Sequence, residues 1–153
     1  MTANVFVDTN VLLHVFDQAD PKKQAAARHW RAELWTSKRG RLSVQVLQEF
    51  YANILRKWPA AQDQARAEVR NLSAWHPVAM DYELLARGWH LQDRFKLSFW
   101  DSLIVAAAKS SACKFLLTED LQPGQDLDGV VVVNPFLSAP DSLGASVLPK
   151  NLP

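Results

Sequence analysis

The stretch VFVDTNVLLHVF, residues 5–16, decides the fold. Three apolar residues, Val5, Phe6 and Val7, run straight into Asp8, Thr9 and Asn10, and Val11-Leu12-Leu13 follow. That pattern is a short buried strand feeding a helix. Such a junction needs oxygens that accept hydrogen bonds from the free N–H groups of the first helical turn, and Asp, Thr and Asn supply them. The same junction lies where open α/β sheets bind ligands, in the crevice outside the carboxyl ends of the strands. Asp8 therefore admits two compatible readings, a helix cap and part of a site.

Outward from this stretch the chain alternates. Strand-like runs fall at Val5–Val7, Leu42–Val44, Trp75–Val78, Phe115–Leu117 and Val130–Val133, each short, β-branched or aromatic, and bounded by polar residues or Gly. Helical patterns lie between them. Residues 24–37 are Ala-rich and follow Pro21, a helix-start signal. Residues 45–58 carry Leu47, Phe50, Tyr51, Ile54, Leu55 and Trp58 at helical spacing and stop at Pro59. Residues 61–72, residues 81–93 behind an acidic cap, and the Ala-rich residues 101–111 complete the set. Strands alternating with helices imply an α/β fold with a mostly parallel sheet covered on both faces. One domain over residues 1–137 is expected, with a Ser-, Pro- and Gly-rich, loosely ordered tail over residues 138–153.

The 153 residues suit a single core, and 22% charged residues is ordinary for a globular chain. No apolar run approaches the ~20 residues of a membrane span. No basic leader precedes the first strand, and the one cysteine, Cys113, excludes an internal disulfide or a cysteine-rich zinc site. A cytoplasmic protein without a membrane association is expected. The net charge is +1, but its distribution is uneven. Residues 20–41 hold Lys22, Lys23, Arg28, Arg31, Lys38, Arg39 and Arg41 against Asp20 and Glu33. A segment of that kind can track phosphates, or serve only as a solvated helix face. Trp30 and Trp35 in it are candidate interface anchors. The four histidines show no ligand-like spacing and read as structural or exposed.

Four acids stand at comparable places. Asp8 and Asp120 each follow a strand, Asp101 begins a helix, and Glu49 falls nearly opposite the apolar stripe of its helix, where it would matter only if that face borders a cleft. In a parallel sheet the points occupied by Asp8, Asp101 and Asp120 share one edge. Carboxylates gathered there repel one another, and their acidity falls unless a cation is present. Hard oxygen donors of this kind suit Mg²⁺ or Mn²⁺, which can activate water against a phosphate. An acidic metal cluster beside a basic surface is the equipment of a nuclease.

At this point the chain resembles the PIN-domain proteins, and most of all the VapC-type toxins of bacterial toxin–antitoxin pairs. The matching segments are FVDTNVLL, SVQVLQEFYANI, FWDSLIVAAA, LLTEDLQPGQ and GVVVVNPF, in the family's order across residues 4–136. The resemblance implies a three-layer α/β/α sandwich with a five-stranded parallel sheet, and a Mg²⁺- or Mn²⁺-dependent endoribonuclease. It implies an RNA substrate, a cognate antitoxin and a homodimer. Carried over residue by residue, Asp8, Glu49, Asp101 and Asp120 match the family's acidic quartet, with Asp8, Asp101 and Asp120 as metal ligands. Thr9, Asn10 and Thr118 match its supporting positions, and Glu119, adjacent to Asp120, could share the fourth acid's role. The basic segment would contact RNA or antitoxin. Two rivals differ in kind. A non-catalytic PIN-like module binding RNA or protein would be expected to have lost some of the acids. A haloacid-dehalogenase-like phosphohydrolase wants a second Asp two residues after the first, where Asn10 stands.

Overall fold

The computed structural model describes residues 3–146. Five strands form one sheet: β1 (Asn4–Val7), β2 (Gly40–Arg41), β3 (Cys113–Leu117), β4 (Asp126–Leu127) and β5 (Val130–Val133). Their order across the sheet is β2-β1-β3-β5-β4. The β1–β2, β1–β3 and β3–β5 pairs are parallel, and β4 pairs antiparallel with β5. Helices cover both faces: α1 (Thr9–Phe16), α2 (Pro21–Ser37), α3 (Val44–Lys57), α4 (Gln62–Leu72), α5 (Tyr82–Phe95), α6 (Phe99–Ser110) and the short α7 (Asp141–Ser146). This is the expected α/β/α sandwich, with one correction: the five-stranded sheet is not wholly parallel.

The correction comes from two segments. Trp75–Val78 was expected as a strand but makes only a single parallel bridge, Ser43 to Val78. Residues Ser73–Trp75 form a 3₁₀ turn, His76 takes a left-handed φ of 54°, and the Trp75 ring packs over Gly40, where an added Cβ would lie 2.6 Å from it. The fifth strand is Asp126–Leu127 instead. Asp128 and Gly129 both take positive φ (58° and 98°), as a two-residue hairpin turn requires. The Asp-Gly pair before Val130 was the signal for it. The strand expected at Leu42–Val44 is shifted to Gly40–Arg41, because Ser43 Oγ accepts from Val46 N at 3.2 Å and so starts α3.

The core lies between the sheet and its helices, with Phe6, Val5 and Leu116 in the strands, Trp30, Phe50 and Leu12 in the helices, and the Ala106-Ala107-Ala108 run of α6 fully covered. Small residues let α6 lie close to the strands it covers. Trp30 is a core residue, not an interface anchor: its indole N–H donates to Pro135 O (3.2 Å) and Ser138 O (3.0 Å). Trp35 is 42% exposed and stacks near Trp75. Packing also continues past residue 137, where a loose tail was expected. Ser138 accepts from Trp30, and Leu143 of α7 is buried. The rest of that expected tail, residues 147–153, lies outside the described residues.

Candidate active site

β1 and β3 run side by side and end together, Val7 opposite Leu117. Each strand then releases a carboxylate-bearing turn on the same edge. Asp8 follows β1 and caps α1, its Oδ1 accepting from Thr9 N at 2.7 Å. Thr118 follows β3, and its Oγ1 donates to Asp8 Oδ2 at 2.9 Å while accepting from Asn10 Nδ2 (3.0 Å) and Asp120 N (3.1 Å). The Asn10 amide spans the two strand ends, reaching Asp120 Oδ2 at 2.9 Å and Asp8 Oδ2 at 3.3 Å. Thr9, Asn10 and Thr118 are thus each hydrogen-bonded to an acid at this edge or to one another.

Glu49 comes to the same edge from α3. Thr9 Oγ1 donates to its Oε2 at 2.9 Å, and Gln45, one turn earlier, donates Nε2 to its Oε1 at 2.8 Å. The Glu49 carboxylate on the outer face of α3 therefore meets α1 at Thr9. Gln45 is buried with its Oε1 unpartnered, and no local pattern in the sequence marks it. Asp101 stands in the first turn of α6. It does not cap that helix: Ser98 does, with its Oγ accepting from Asp101 N at 3.1 Å. Freed from capping, the Asp101 carboxylate lies in the field of Asp120 and Glu49.

The electrostatics follow from this crowding. Burial pushes the Asp8 carboxyl up to about 7, the charges of Asp120 and Glu49 add to that, and hydrogen bonds from Thr9 and Thr118 oppose it. Asp101 is raised for the same reasons, burial first and then Asp120 and Glu49, against a bond with Ser98. Among the described residues no group of three or more His, Cys, Asp or Glu side chains is gathered so as to hold a metal ion by itself. The donor set still fits a hard divalent ion. Mg²⁺ keeps several waters and is held by one or two carboxylates plus phosphate oxygens, so an open site with one buried carboxylate, Asp8, and more accessible ones beside it is suited to it. A cation there would relieve the repulsion that adds to burial in raising Asp8 and Asp101.

Glu119 is set apart from the quartet. Its Oε1 lies 2.8 Å from His14 Nε2 and its Oε2 2.7 Å from Lys23 Nζ. Burial works against its charge, but these two partners outweigh it and hold the carboxyl below its ordinary value. His14 was expected to be structural or exposed, and nothing in its local sequence announces the pair.

The basic segment is less free than its composition suggests. Lys23 is bound to Glu119, and Arg31 grips the buried Glu68 of α4 through Nε and Nη2, both at 2.6 Å. Arg39 is buried and reaches Ala3 O at 3.4 Å. Arg41 Nη1 donates to Gly40 O (2.7 Å) and Lys38 O (3.1 Å), and Arg28 Nε to Val15 O (3.0 Å). Lys22 and Lys38 are exposed.

A PIN-fold sheet with carboxylates at the carboxyl ends of β1 and β3 and in the helices beside them defines the class, and the chain belongs to the PIN domain family, whose model matches residues 5–124. Solved structures share the fold. A toxin–antitoxin complex from Klebsiella pneumoniae is 18% identical, with 86% of this chain and 98% of that one covered and a TM-score of 0.62. VapC20 of Mycobacterium tuberculosis, described as a sarcin–ricin loop cleaving toxin, is 22% identical over 74% of this chain and 87% of its own, with a TM-score of 0.58. FitAcB of Neisseria gonorrhoeae is 18% identical over 86% and 98%, with a TM-score of 0.63. No curated protein sequence matches the chain.

Proposed function

We propose that the chain is a Mg²⁺- or Mn²⁺-dependent endoribonuclease and the toxin of a toxin–antitoxin pair. The observation that carries this reading is the convergence of Asp8, Glu49, Asp101 and Asp120, distant in sequence, on one edge of the sheet. Toxin structures with the same fold support it, one described as a toxin–antitoxin complex and one as cleaving the sarcin–ricin loop. Asp8, Asp101 and Asp120 would hold the ion. When bound, the ion supplies an activated water and charge neutralisation at a phosphate. Thr9, Asn10 and Thr118 keep the carboxylates oriented, as outer partners of a metal site do. Glu49, held by Thr9 and Gln45, would orient the attacking water and accept its proton. Cleavage of the bond to the ribose 3′ oxygen leaves a 5′-phosphate and a 3′-hydroxyl.

The partners that accompany this reading are RNA, a cognate antitoxin and a second copy of the chain, in the cytoplasm. Exposed Lys22 and Lys38 are the bases best placed to meet RNA or antitoxin, since Lys23, Arg28, Arg31, Arg39 and Arg41 are engaged within the fold. Among the described residues no helix is long and apolar enough to cross a membrane.

The test is incubation of the purified chain with total RNA, with Mg²⁺ or Mn²⁺ and with a chelator, beside Asp101→Asn. Discrete fragments with 5′-phosphates from the wild type alone, abolished by the chelator, are expected. RNA binding without turnover, unaffected by chelator, would instead identify a non-catalytic module. A phospho-aspartate trapped at Asp8 would identify a phosphohydrolase.

A further inference from the structure

The turn that carries Asp120 is not held by the sheet. The last ladder bond on that side runs from Thr118 N to Val133 O at 3.0 Å, and the backbone rejoins β5 only where Gly124 N donates to Val132 O at 2.8 Å. Side chains locate the residues between. From the site, Asn10 donates to Asp120 Oδ2 (2.9 Å) and Thr118 Oγ1 accepts from Asp120 N (3.1 Å). From behind it, His14 of α1 and Lys23 of α2 each take one oxygen of Glu119, at 2.8 and 2.7 Å. Phe136, just after β5, backs both of them. His14 meets its ring edge-on at 5.0 Å, and Lys23 Nζ lies 5.0 Å from its centroid.

Two helices, backed by Phe136, therefore converge on the one carboxylate that neighbours Asp120 in the chain. Charge-assisted bonds of this length are about twice as strong as neutral ones. With both oxygens engaged, Glu119 adds no further ligand to the site, and its backbone is fixed at the position from which Asp120 departs. We infer that Lys23, His14 and Glu119 form a positioning clamp, touching neither RNA nor metal, that holds the turn so that Asp120 is presented to the ion. The inference rests on the metal-dependent reading above. It gives Lys23 a role other than phosphate contact, and it makes Asp120, not Glu119, the fourth acid of the site.

The test is calorimetric titration of the full-length chain with Mn²⁺, with thermal unfolding in chelator and RNA cleavage measured in parallel. Glu119→Ala should lose affinity on the order of tenfold, the lower end of what removing an outer partner costs a metal site. Glu119→Gln, which can accept from Lys23 and pair with the other tautomer of His14, should recover most of that loss. In an Asp120→Asn background, Glu119→Ala should cost nothing further, because the cycle isolates the coupling between the two residues. Should Glu119→Ala not fold, Lys23→Met, which leaves the His14 bond, is read the same way. Wild-type affinity in the clamp variants, or an equal loss with and without Asp120, overturns the clamp while leaving a wild type that binds Mn²⁺ and cleaves RNA. A wild type that binds no Mn²⁺ and cleaves no RNA overturns the metal-dependent reading together with it.

Discussion

Thr118 Oγ1 is the hub of the site: it donates to Asp8 and accepts from Asn10 and from Asp120 N, in a position with no solvent access. Thr118→Val keeps the shape and removes the hydroxyl. Buried Asp8 then loses a donor and two N–H groups lose an acceptor, at a cost of about 1–3 kcal/mol. The expected outcome is a melting temperature lower by several degrees, read by calorimetry, with cleavage reduced and Thr118→Ser restoring both. At this scale much was legible in the sequence. Asp8 and Thr9 stand at a strand–helix junction that needs an acceptor, and the cap is there. His14 and Lys23 were not legible as partners of Glu119. They lie 105 and 96 residues from it, and a bond across that separation leaves no local pattern.

Elements are joined here by charges that composition alone assigns to the surface. Arg31 of α2 and Glu68 of α4 form a two-pronged pair with Glu68 buried, and the Arg31 guanidinium also lies 5.3 Å from the Trp35 ring. Breaking a buried pair by removing one partner leaves an uncompensated charge and costs about 3–5 kcal/mol. Because Arg31 is partly exposed, we expect Arg31→Ala to sit at the lower end of that range, on the order of 3 kcal/mol. Denaturant unfolding measures it. If Arg31 served RNA instead, the variant would unfold normally and bind RNA more weakly. Helix identity was legible for α2 to α6, because apolar spacing and caps are local. Strand identity was less so: Trp75–Val78 had a strand's composition, but its Trp was needed over Gly40, and the hairpin at Asp128-Gly129 supplied the edge strand instead.

For the whole molecule, the acids couple site and stability. The Asp8 carboxyl titrates near 3.8 when unfolded and is pushed up to about 7 by burial in the fold. Below pH 3.8 both states hold the proton and Asp8 contributes nothing. Between those values the unfolded chain releases a proton that the folded chain keeps. Stability therefore falls as pH rises, by about 1.4 kcal/mol per unit at most, and the loss is complete above about 7. Asp101, raised as well, acts in the same direction. Melting temperatures in chelator should accordingly fall from about pH 5 to about pH 7.5, and added Mg²⁺, by favouring the charged carboxylates, should raise them most at the upper end. A flat profile in chelator would contradict the burial of Asp8. The alternation of strands and helices, the cap at Asp8 and the order of the four acids are legible in the chain, because hydrogen-bonded ends and apolar periodicity are written within a few neighbouring residues. The capping of α6 by Ser98 that frees Asp101, the antiparallel β4, the burial of Trp30 and the engagement of the bases emerge only once the chain is packed. Those outcomes depend on which groups distant in the chain are packed side by side, as Asn10 is with Asp120 across 110 residues. A charge or a ring has its role fixed by the neighbour that folding gives it.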